Sequence, residues 1–116
     1  MALKFMDNIK NSSYYMTKIL KDILFVVDNV KNISLEKFTS NDILNCAISF
    51  KFIQVSENAK QLPNSLISAY PSIPWQKING LRNRIVHDYG SVQLDIIYNT
   101  ATKDLPILLK QLQDIK

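Results

Sequence analysis

The chain has 116 residues, of which 47% are hydrophobic and 21% charged, the size and balance of a single soluble domain with one modest core. Two glycines and four prolines are too few for a turn-rich β fold, and a lone cysteine excludes an internal disulfide and fits a reducing compartment. The net charge of +4 and pI of about 9.2 permit contact with nucleic acid without demanding it.

The expected architecture is all-α, a bundle of four or five helices forming one domain over residues 1–116. The longest apolar run, Ile23 to Val27, is far short of a membrane span. Met1 to Lys10 lacks the apolar core of a signal peptide. A cytoplasmic protein without a membrane segment is the expectation.

From Tyr15 to Val30, Met16, Ile19, Leu20, Ile23, Val26, Val27 and Val30 recur at i, i+3, i+4, i+7. This predicts an amphipathic helix with one core-facing stripe, capped by Ser12 or Ser13. Lys31 to Lys37 reads as a connection, with Leu35 and Phe38 packed beneath it. Thr39-Ser40-Asn41-Asp42 is a cluster of N-cap residues. The helix it opens carries Ile43, Leu44, Ala47, Phe50, Ile53, Val55 and Ala59, with Cys46 expected as a small buried hydrophobe. Pro63 ends that helix near Leu62. A short turn over Asn64 to Tyr70 is followed by the break Pro71-Ser72-Ile73-Pro74.

A further helix starts at Pro74 or Trp75, with Trp75, Ile78, Leu81 and Ile85 as its buried stripe and Gly90 as its stop. Val92 to Thr102 and Leu105 to Ile115 are also helical, and Pro106 either kinks one long helix or starts a second.

The segment Gly80-Leu81-Arg82-Asn83-Arg84-Ile85-Val86-His87-Asp88-Tyr89-Gly90 holds both glycines, both arginines and the only histidine of the chain. On a helix Asn83 and His87 share a face, whereas Arg82 and His87 stand about 140° apart and about 7.5 Å along the axis. An imidazole moves protons near neutral pH, and a guanidinium grips phosphate through paired hydrogen bonds. These are the ingredients of RNA cleavage without a metal: a base takes the 2′-hydroxyl proton, that oxygen attacks phosphorus, and an acid protonates the departing 5′-oxygen. One histidine and one cysteine far apart in the chain do not make a zinc site, and no carboxylate cluster marks a magnesium site. Structural explanations stand beside this one. A histidine in a last helical turn is stabilised by the dipole, surface arginines are usually solvated or paired, and Gly90 is accounted for as a cap.

Arg82, His87 and Tyr89 reproduce the R-x4-H-x-Y signature of the HEPN superfamily, and the whole stretch Tyr70 to Gly90 resembles its HepT toxins. Asp95 and the Asp104-Leu105-Pro106 triplet also fall where similar sequences place them. A departure is Ser56 ahead of Glu57, where relatives are expected to carry glycine; it bears on helix packing. The resemblance implies a HEPN-like homodimer with two motifs facing one cleft, and a metal-independent endoribonuclease toxin needing no cofactor. Arg82 would bind the scissile phosphate, His87 would act as acid/base, and Asn83 would hold the site's geometry. Arg84 would contact the RNA backbone, with transfer RNA and messenger RNA both open as substrates. Tyr89 would receive AMP from an antitoxin, a minimal nucleotidyltransferase of the MntA type, and the added phosphate charge and bulk would block RNA. The competing readings are a non-catalytic helical module that docks a nucleotidyltransferase or binds nucleotide, and a motif that merely stabilises a dimer interface.

Overall fold

The computed structural model describes residues 2–88 and 93–115, with side chains from residue 12 onward. Seven helices follow in order: α1 (Ala2–Val30), α2 (Leu35–Ser40), α3 (Asp42–Ala59), α4 (Asn64–Ala69), α5 (Trp75–Asp88), α6 (Leu94–Asn99) and α7 (Leu105–Gln113). A π-helical stretch, Thr100–Asp104, joins α6 to α7 without a break. The result is an all-α bundle of four long spans, α1, α3, α5 and α6–α7, with α2 and α4 as short connectors. α1 packs on α3 and α7, and α3 packs on α5.

The stripe expected on α1 is the core stripe: Ile19, Ile23, Val26 and Val30 are buried. The start of the helix is not where the serines suggested. α1 begins at Ala2, and Ser13 lies inside it, its carbonyl accepting a hydrogen bond from Thr17 Oγ1 at 2.8 Å. No proline or glycine stands between Ala2 and Ser13 to stop the helix. It ends in a turn where Asn32 takes φ of 63°, a left-handed conformation that asparagine tolerates.

The connection that follows contains helix. Ser34 Oγ caps α2 by accepting from the Lys37 amide at 3.1 Å. Phe38 is fully buried, but Leu35, expected beside it, is exposed. Asn41 is the cap of α3, accepting from the Leu44 amide at 3.0 Å.

On α3 the expected core face requires correction. Ile43, Phe50 and Cys46 are exposed, and the buried face is Asn45, Ile48, Ser49, Phe52, Val55 and Ser56. Apolar residues occur all round this helix, so their spacing does not define one face. Three small polar residues can be buried because each finds a partner: Asn45 Nδ2 donates to the Phe38 carbonyl, Ser49 Oγ to the Asn45 carbonyl, and Ser56 Oγ to Asn79 Oδ1 of α5. An ion pair between Lys51 Nζ and the largely buried Asp22 carboxylate, at 3.0 Å, ties α3 to α1.

Of the two alternatives for Pro106 the second holds: it stands in the first turn of α7, which continues directly from the π-helical stretch. A proline has no N–H to donate and crowds the carbonyl four residues earlier. The helix widens just before it, so that the Leu105 amide bonds to the Thr100 carbonyl, five residues back. Ile97, Ala101, Leu105, Leu108 and Leu112 thereby all reach the core.

Candidate active site

The rotation of α5 is fixed by Ile78, Leu81 and Ile85, which are buried; Trp75 is half-buried at its start. One position beyond Leu81, about 100° round the helix, Arg82 falls on the seam with α3. Its side chain is 22% exposed, and its Nη2 lies 2.7 Å from Glu57 Oε1. The contact is a close ion pair and not an aligned hydrogen bond. Nη1 donates to Asn83 Oδ1 at 2.9 Å. The third nitrogen, Nε, is buried and has no hydrogen-bond partner among the described residues.

The same seam holds Ser56, one residue before Glu57, against Asn79, one turn before Arg82, at 3.0 Å. Ser56 is 1% exposed, so the departure noted in the sequence does sit at helix packing. Glu57 also lies 3.6 Å from Lys60 Nζ on its own helix.

The other motif residues face elsewhere. Arg84 is about 200° from Arg82 round the axis, is exposed, and pairs with no described residue. His87 is exposed in the last turn of α5 and likewise has no hydrogen-bond or ion-pair partner among the described residues. A single chain therefore joins Arg82 to Asn83 but does not bring Arg82 and His87 together, as their spacing anticipated. Tyr89 and Gly90 lie outside the described residues. Asp95 is exposed in the first turn of α6, whereas Asp104 binds Lys77 Nζ of α5 at 3.0 Å and so ties the last helical span to the motif helix.

Phe50 and Val86, both exposed, line a shallow depression between α3 and α5 with Cys46, Ile53 and Ile85. Among the described residues no three His, Cys, Asp or Glu side chains gather into a metal-binding group, and no helix is long and apolar enough to cross a membrane.

A family model described as ribonuclease HepT-like matches residues 12–115. The chain belongs to the HepT-like ribonuclease family. A relative in Caldanaerobacter subterraneus, provisionally named an RNase, is 32% identical over 107 residues, covering 92% of this chain and 96% of its own. A Methanocaldococcus jannaschii protein with a similarly provisional RNase name is 28% identical over 100 residues, 83% of each chain. A Thermococcus cleftensis protein, named with the same reserve ribonuclease HepT, is 22% identical over 102 residues, 88% of this chain and 93% of its own. No solved structure matches.

Glu57 is the member of this HepT-like site that sequence reasoning missed. It lies on a different helix from the motif, and one glutamate in a solvated helix turn carries no local signal. Only the docking of α3 on α5 makes it a neighbour of Arg82.

Proposed function

We propose that this HepT-like protein is a metal-independent endoribonuclease acting as the toxin of a type VII-like toxin–antitoxin pair. The observation that carries the reading is the treatment of the R-x4-H pair. Arg82 is a preformed guanidinium, held by Asn83 and Glu57, while His87 stays open to solvent on the same helix.

In this reading the guanidinium binds the scissile phosphate and stabilises the extra charge of the pentacoordinate transition state. An imidazole accepts the 2′-hydroxyl proton as O2′ bonds to phosphorus. The bond from phosphorus to O5′ breaks, and O5′ takes a proton from an acid, leaving a 2′,3′-cyclic phosphate and a 5′-hydroxyl. One chain offers one imidazole, so a homodimer supplies the second. Exposed Phe50 and Val86 beside His87 support a two-fold contact at this end of α3 and α5.

Neutralisation follows from position. Tyr89 stands two residues after His87, and AMP attached there by an MntA-like nucleotidyltransferase places phosphate charge beside a phosphate-binding site. The protein works in the cytoplasm, with transfer RNA or messenger RNA as substrate. The test is cleavage of a defined RNA by protein kept from modification. Wild type is expected to give 5′-hydroxyl ends in the presence of chelator, and His87→Ala to give none; intact RNA with the unmodified wild type would end the proposal. The modest net charge and the separation of Arg82 from His87 round α5 favour a second reading, a module that docks a nucleotidyltransferase or binds nucleotide without cutting; under it, His87→Ala leaves binding unchanged.

A further inference from the structure

Between α5 and the α6–α7 span lies a cavity of about 290 Å³, at the small end of the ligand-pocket range. Its walls are apolar: Pro74, Ile78 and Leu81 on one side, Ile96, Leu105 and Leu108 on the other. Its rim carries three charges, the paired Lys77 and Asp104 and Arg84, which has no partner among the described residues.

Gly80 forms part of the wall. A glycine inside a helix costs roughly 0.5–1 kcal/mol relative to alanine, and packing within this chain does not require one here. A Cβ at position 80 would meet no atom within 4 Å. What the missing side chain does is leave the cavity open.

Lys77, Gly80, Arg84 and His87 are spaced three, four and three residues apart and fall within about 80° of the helix surface. The cavity, the Arg84 guanidinium and the imidazole therefore follow one another along a single side of α5. Arg84 and His87 are about 4.5 Å apart along the axis, less than one nucleotide of extended backbone.

Building on the ribonuclease reading, we infer that this cavity is a base-binding subsite, taking one nucleobase of the RNA strand adjacent to the cut while Arg84 holds the phosphate of that nucleotide. Aliphatic walls accept any flat heterocycle edge-on or face-on, and an arginine at the rim both binds phosphate and stacks on bases. The lining's polar groups are the Thr100 hydroxyl, which donates to the Ile96 carbonyl, Lys77 and Asp104, which bind each other, and Arg84, so the walls carry little that reads base identity and the subsite tolerates any base. The site selects for a base next to a phosphate.

Methyl-resolved NMR of the full-length protein, titrated with uridine and adenosine 5′-monophosphates and with ribose 5-phosphate as the base-free control, tests this directly. The expected result is saturable shifts of the Ile78, Leu81, Ile96, Leu105 and Leu108 methyls with both nucleotides, absent with ribose 5-phosphate and lost in Gly80→Leu. Shifts equal with and without a base, no shifts, or shifts that follow protein concentration and mark a second copy seated in the cavity would each overturn the subsite. In the cleavage assay Gly80→Leu is expected to raise KM about tenfold and to move kcat less; an unchanged KM overturns the subsite and leaves the ribonuclease reading intact. Conversely, base-dependent shifts in a wild-type protein that cuts no RNA uphold the subsite and sink the ribonuclease reading.

Discussion

Arg82 Nη2 lies 2.7 Å from Glu57 Oε1, across the seam between α5 and α3. This contact aims the motif arginine from a second helix. An exposed arginine would sample many rotamers and lose that freedom on binding phosphate; this one has part of the loss already incurred on folding.

The first expectation concerns that pair. Glu57→Gln keeps the shape and removes the charge, so RNA cleavage should fall several-fold with most of the change in KM. Arg82→Ala should abolish cleavage. Glu57 is nearly half exposed, and ion pairs of this kind contribute roughly 0.2–1 kcal/mol. Urea denaturation should therefore show only that much lost in Glu57→Gln, and somewhat more in Arg82→Ala, whose largely covered side chain also loses packing and the Asn83 hydrogen bond. A large stability loss with cleavage retained would instead support the motif as an interface element.

His87→Ala should leave the unfolding free energy within about 0.5 kcal/mol of wild type, because an exposed side chain without partners among the described residues has little to lose. Ile85→Ala, two residues earlier and 3% exposed, should cost about 2–5 kcal/mol. Measured side by side, the two separate loss of chemistry from loss of fold on one helix.

Gly80→Ala adds a methyl where no neighbour stands within 4 Å. It should raise stability by roughly 0.5–1 kcal/mol, read as a higher urea midpoint at unchanged slope. A drop in stability would mean that Gly80 is needed for packing.

Co-expression with an MntA-like nucleotidyltransferase should add mass in AMP units, lost in Tyr89→Phe, and the host should stop growing only without the enzyme. No mass increment together with normal growth would favour the non-catalytic module.

Helix α5 was readable in the sequence because Ile78, Leu81 and Ile85 repeat at helical spacing among mostly polar residues, so that period and burial agree, with Val86 the one apolar residue turned outward. Helix α3 was readable as a helix but not as a surface. Asn45, Ser49 and Ser56 are short enough to satisfy themselves on nearby backbone or on Asn79, while Ile43 and Phe50 face outward. Hydrophobicity alone predicts the reverse. The extent of α1 was hidden for a related reason: serines that cap helices elsewhere here lie inside one, with nothing upstream to break it. Within the site, the spacing of Arg82 and His87 told that the helix backbone alone does not join them, but not where the guanidinium arm goes, and the adjacency of Arg82 and Asn83 was visible. Glu57 was not, since its role depends on how two helices dock.

The widened turn at Thr100–Asp104 makes residue count part of the specification of this fold. The turn holds one residue more than an α-helical turn, so removing one there would close it to ordinary α geometry and keep the downstream face, whereas adding one would turn everything downstream by about 100°. Leu105, Leu108 and Leu112 would swing off the core, and Asp104 would lose its register with Lys77. Substitutions on the surface of this segment should be absorbed, whereas a single-codon insertion should uncouple the last span from the motif helix.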